Sequence, residues 1–109
     1  MRKTGKVIDF TPYEAVKDKE GNEVISKADG QRVMKRTVVV DCSHENEDGE
    51  EVREAFVCDM YRDYADEQLE QLRQSGKKVA FYIFMDYYRS ADGKYFQKVN
   101  LRNIRSLTT

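Results

Sequence analysis

At 109 residues, with 39% hydrophobic and 36% charged residues, the chain is long enough for one domain around one core and too short for two. No apolar run approaches the ~20 residues that span a bilayer, and the basic Met1-Arg2-Lys3-Thr4 leads into Val7-Ile8-Asp9, far too short for a signal-peptide core, so no membrane partner and a cytoplasmic location are expected. The net charge of −1 excludes a uniformly basic protein yet hides a sorting, because residues 1–40 carry nine Lys/Arg against six Asp/Glu, residues 41–75 three against twelve, and residues 76–109 seven against two, which can build a basic face opposite an acidic one.

In chain order, Gly5 to Thr11 reads as a first strand, closed by Pro12, the only proline, which cannot donate to a ladder. Residues 13–33 are polar and hold Glu20-Gly21-Asn22 and Asp29-Gly30. They predict a long, mobile excursion whose Val24-Ile25 pair can form a short flap or a frayed strand extension. Met34 to Ser43 is the second strand, β-branched from Thr37 to Val40. An acidic turn over residues 45–51, centred on Asp48-Gly49, is a hairpin signal. The third strand runs from Val52 to Tyr61, with Phe56, Cys58 and Met60 on one face and Ala55, Val57 and Tyr61 on the other. Only one face can line a barrel interior, so the second apolar face calls for a ligand or a second subunit.

Residues 63–75 predict the one helix. Asp63 can cap it, Asp66 and Glu67 suit its positive N-terminal end, Gly76 ends it, and Ala65, Leu69 and Leu72 form a narrow stripe. The fourth strand alternates Val79, Phe81, Ile83 and Met85 with Ala80, Tyr82, Phe84 and Asp86. After a turn over residues 90–94, the fifth runs from Tyr95 to about Leu107. The order β-β-β-α-β-β, as a single domain over residues 1–109, predicts an all-β, five-stranded OB-fold barrel with its helix between strands three and four. Such barrels bind oligonucleotides or oligosaccharides on one face.

Cys42 and Cys58 sit in apolar strand runs flanking the Asp48-Gly49 turn. They are expected to lie roughly opposite each other as reduced core residues. One histidine, His44, cannot complete a metal site, so neither metal nor cofactor is expected. His44 lies in the acidic turn beside Ser43, with no assignable triad and no Gly-rich phosphate loop in the chain. An enzyme is not expected.

Two stretches carry a resemblance. Val57-Cys58-Asp59-Met60-Tyr61 ends an apolar strand in an aromatic, with Ala65-Asp66 opening the helix. Asp92-Gly93 turns into a strand with Val99, Ile104 and Leu107 at a recurring spacing, and the helix end Leu72, Gly76 and Val79 fits the same pattern. Over residues 34–107 the chain resembles the bacterial single-stranded DNA-binding protein family, as a short form without the acidic C-terminal tail. It departs in having Arg62 and Asp63 where the family has a small and a basic residue, and in having no tryptophan. The resemblance implies an OB-fold, single-stranded DNA as partner ahead of RNA, a homodimer or homotetramer, and a stacking role for Tyr61.

Binding without sequence preference needs aromatic faces for bases and cations along the phosphates. Tyr61 ends strand three, and Tyr87 and Tyr88 precede the last hairpin. Arg89, Lys94, Lys98 and Arg102 line that hairpin and the last strand, with Lys98, Asn100 and Arg102 opposite Val99 and Leu101. Lys35 and Arg36 open strand two, and the acidic stretch 45–54 is expected to lie away from the groove. The competing reading is an OB-fold protein-interaction or assembly module that does not bind nucleic acid.

Overall fold

The computed structural model describes residues 1–61 and 64–107, apart from the side chains of Tyr88 and Ser106. Its elements are β1 (Arg2–Phe10), β2 (Glu14–Ala15), β3 (Met34–Asp41), β4 (His44–Glu45), β5 (Glu51–Val52), β6 (Ala55–Met60), α1 (Asp66–Ser75), β7 (Val79–Arg89) and β8 (Tyr95–Ser106). Five of these strands close a ring. β1 pairs antiparallel with both β3 and β7, β3 pairs antiparallel with β6, and β8 runs antiparallel to β7 and parallel to β6. This is the OB-fold barrel, with its helix between the third and fourth barrel strands.

Period-two alternation sets the inside of the barrel. Val38 and Val40 of β3, Cys58 and Met60 of β6, Phe81 and Ile83 of β7, and Leu101 and Ile104 of β8 are all buried. The helix plugs one end by burying Leu69, with Leu72 and Tyr64 packed beside it, and the Tyr64 hydroxyl donates to the Ile104 carbonyl at 3.1 Å. Ala65 is the N-cap residue, and its N–H is accepted by the Gln68 side chain at 3.2 Å. Ala65 is therefore exposed at the cap rather than part of the apolar stripe, while the expected cap Asp63 lies outside the described residues. Gly76 ends the helix at φ 63°, its N–H reaching the Leu72 carbonyl at 3.2 Å.

Several boundaries differ from expectation, each for a tertiary reason. The first strand begins at Arg2, because its early half, Arg2 to Gly5, pairs with β7 while its later half pairs with β3. Where β1 crosses from one neighbour to the other, a Cβ on Gly5 would lie 2.5 Å from the Asp41 carbonyl oxygen, so only glycine allows the approach. The third barrel strand begins at Ala55, since Glu51 and Val52 belong to the β4–β5 ribbon. The excursion over residues 13–33 is folded back on itself. Val16 N–H reaches the Val33 carbonyl at 2.8 Å, Val24 N–H the Val16 carbonyl at 2.9 Å, and Val33 N–H the Val24 carbonyl at 2.9 Å. Those valines are too widely spaced to show a strand period.

Cys42 and Cys58 are free and buried but not opposite each other. Cys58 faces Val38, and the Cys42 N–H bonds to the Glu54 carbonyl at 2.7 Å. Burial pushes the Cys42 thiol up to about 11 and the Cys58 thiol up to about 12.

The β7–β8 ladder runs on to Arg89↔Tyr95, and the far end of this ribbon forms an arm. The radius of gyration, 16.0 Å, exceeds the ~13 Å of a compact chain of this length. Near the other end, Asn103 at φ 57° accompanies a register shift opposite Ala80 to Tyr82, a bulge that helps the ribbon curve into the ring. No described helix is long and apolar enough to cross a membrane.

Candidate nucleic-acid interface

The second and third strands of the barrel, β3 and β6, are the OB-fold's usual ligand face. Their register, Thr37↔Asp59 and Val39↔Val57, turns Lys35, Thr37, Val39, Val57, Asp59 and Tyr61 outward. β8 lies alongside, with Asp59 opposite Asn100. Between these strands lies a cleft of about 490 Å3 lined by Lys35, Val57, Asp59, Gln97, Lys98 and Val99. The flap of residues 13–33 joins β1 to β3, the first and second barrel strands, and the β7–β8 arm joins the fourth and fifth, so the two excursions occupy the connections that flank this face in the fold.

The cleft brings together two of the expected residues, Lys35 and Lys98, and Lys98 links it to a third, Tyr61. Lys98 Nζ lies 5.4 Å from the Tyr61 ring centroid, within cation–π range. Hydrogen bonding to the Tyr61 side chain, aided by the nearby charges of Asp59 and Asp86, holds the Lys98 ammonium above its ordinary pKa despite partial burial. Lys35 lines the same cleft. Asp59 sits among them, and no feature of the sequence had separated it from the other carboxylates. Its charge repels phosphate, so a strand bound here would turn its bases toward Asp59 and its phosphates toward the lysines.

Arg36 is a correction. Alternation along β3 sends Lys35 outward and Arg36 inward, and the Arg36 side chain is fully covered. Its guanidinium lies 3.8 Å from the Tyr13 ring centroid and 5.6 Å from that of Phe10, and it pairs with Asp66 at the start of the helix. It fastens the flap and the helix to the barrel and presents nothing to a ligand.

The last hairpin does not present a single basic face. Because cross-strand partners share a face, Lys98 and Arg102 point to one side of the ribbon and Arg89 to the other, with Tyr87 and Tyr95. Arg102 lies 5.3 Å from the Phe84 ring centroid, and Phe84 stacks on Tyr82 with centroids 6.4 Å apart. Arg102 therefore belongs to an aromatic strip on the β7 side and is absent from the cleft lining. On the arm, Tyr87 is 72% and Tyr95 73% exposed, and the Arg89 guanidinium lies 5.9 Å from the Tyr95 ring. The Lys94 ammonium is 3.9 Å from Asp92 in the turn. The Tyr88 side chain lies outside the described set. Tyr95, missed in the sequence, shares the face of Tyr87; its spacing of two from Gln97 on a predicted strand was the signal.

The acidic stretch forms the β4–β5 ribbon and contributes no residue to the cleft. His44 directs Nδ1 at the Cys42 carbonyl, 3.0 Å away. Among the described residues no three His, Cys, Asp or Glu side chains converge as a metal site would require. Fold and face together define an OB-fold barrel with a polar cleft on its second and third strands. No protein-family model matches the chain, and no curated protein is detectably similar to it in sequence.

Proposed function

We propose that the chain binds single-stranded nucleic acid, DNA ahead of RNA, with weak sequence preference, in the manner of the bacterial single-stranded DNA-binding family it resembles. The observation that carries this reading is the Tyr61–Lys98 pair beside Lys35 on the outer face of β3 and β6. An aromatic face next to unburied cations is what non-specific single-strand binding requires. The exposed tyrosines of the arm extend the stacking surface, and Arg89 beside Tyr95 adds a cation.

Titration of a fluorescently labelled oligo-dT, followed by anisotropy, tests the reading. Lys98→Ala should lower the slope of log affinity against log salt by roughly 0.7, the value of one lost phosphate contact on a single strand. No binding at about 50 mM salt and micromolar protein, conditions that favour the electrostatic contribution, would overturn the reading.

The assembly-module alternative has its own observation. Val57 is 66% exposed on β6, and Phe84 and Tyr82 lie exposed on β7, apolar surface that a second copy of the chain would cover.

A further inference from the structure

We propose that the cleft where β1 separates from β3 binds an oxyanion of the phosphate class. β1 pairs with β3 from Lys6 onward, whereas Arg2 to Gly5 turn to β7. The split leaves a cavity of about 360 Å3 between the departing strand and the chain leading from β3 into β4, with buried Cys42 among its walls. That volume is within the ~300–1,000 Å3 range of small-ligand sites.

Three cationic residues line it from two segments, Arg2 and Lys3 from β1 and Lys78 from the link between α1 and β7. The one carboxylate in the lining, Glu54, is paired with Lys3 at 2.7 Å. Arg2 and Lys78 have no ion-pair partner among the described residues, so the lining keeps two uncompensated positive charges. Thr4 and Ser43 also line the cavity. Ser43 Oγ accepts the Glu54 N–H at 3.2 Å, and its own O–H is engaged by the Asp41 carboxylate, so it braces the wall of the cavity rather than serving as a free donor. Two cations suit a compact dianion, since charge-assisted hydrogen bonds are the strong ones. An apolar ligand would leave both cations unpaired. The ligand can be free inorganic phosphate or the terminal phosphomonoester of a nucleic-acid strand.

The test is a titration of the 15N-labelled chain with sodium phosphate, against sodium chloride at matched ionic strength, followed by amide chemical shifts. Phosphate alone should produce saturable shifts at Arg2 to Thr4, Ser43, His44 and Lys78. The double variant Arg2→Ala/Lys78→Ala should weaken them by roughly tenfold or more, with an unchanged melting temperature because both side chains are exposed. Equal shifts with chloride, shifts confined to the β7–β8 arm, or undiminished affinity in the double variant would each overturn the site.

The source is decided by oligo-dT of about 15 nucleotides with and without a 5′ phosphate. Tighter binding of the phosphorylated strand by wild type, lost in the double variant, assigns the strand end. Equal affinity assigns free phosphate. Because the phosphate titration needs no nucleic acid, failure of oligo-dT to bind leaves this site standing while removing the function proposed above.

Discussion

Arg36 shows how one side chain can be removed from a surface by its place in a strand and given a structural task instead. Its stem and guanidinium fill the space between Phe10, Tyr13 and the start of α1, and a long cationic side chain stabilises through packing as well as charge. Arg36→Ala should lower stability by about 2–4 kcal/mol in urea unfolding, since it empties a buried site. Arg36→Met keeps most of the volume and should cost clearly less. An alanine variant as stable as wild type would contradict this role. Single-strand affinity, measured where each variant is folded, should not change.

The thiols make a second local test. Both folded values lie above the ordinary 9.0 because burial disfavours the thiolate. The sign follows directly: the folded state holds the protons more tightly than the unfolded chain. The thiol contribution to stability is thus fully present below pH 9 and declines as pH rises toward about 11 and 12. At pH 8 a thiol reagent should react slowly with the native protein and rapidly in denaturant; fast labelling of the folded chain would refute the burial.

The β7–β8 arm offers a test in which binding and folding separate. Tyr87 and Tyr95 are almost free of the core, so replacing both with alanine should leave the urea midpoint unchanged. If the arm stacks bases, affinity for oligo-dT should fall by about 1–3 kcal/mol per base lost, at low and at high salt alike. A loss seen only at low salt would instead implicate the neighbouring cations.

The alternation of β7 and β8 was legible up to the bulge at Asn103, which no period shows, and so was the existence of the helix and its Gly76 stop, though not its start at Asp66. The same rule separates Lys35 from Arg36, and places Arg89 and Lys98 on opposite sides, once strict period two is imposed on β3 and on the hairpin register. What alternation could not supply is which strands become neighbours around the ring. The double partnership of β1 and the place of Asp59 beside Lys98 depend on that closure, while the offset of Cys42 from Cys58 depends on the register of β3 against β6. Beyond the short flap expected at Val24-Ile25, the folding back of the whole 13–33 segment was not legible, because its three valines are joined by backbone bonds across loops, without a local period.

Considered whole, the molecule leaves apolar outer positions on both β6 and β7. Burial of such rings and methyl groups is favourable by about 25 cal/mol per Å2. Light scattering across a concentration series should therefore return a multiple of 12.8 kDa, with Phe84→Asp shifting it toward the single-chain mass. A single-chain mass at hundreds of micromolar, roughly where even weak interfaces associate, would reject self-association.

The ring also imposes an order of events on the growing polypeptide. β1, β3 and β6 can pair as soon as each is synthesised, but β6 and β7 meet only through β8. Until residues 95–106 have left the ribosome, the outer edges of β6 and β7 carry unpaired backbone groups, open to strands of any other chain. At about 5–20 residues per second, the wait from the end of β6 to the end of β8 lasts several seconds. The last strand thus ends a period in which the nascent chain is most exposed to aggregation.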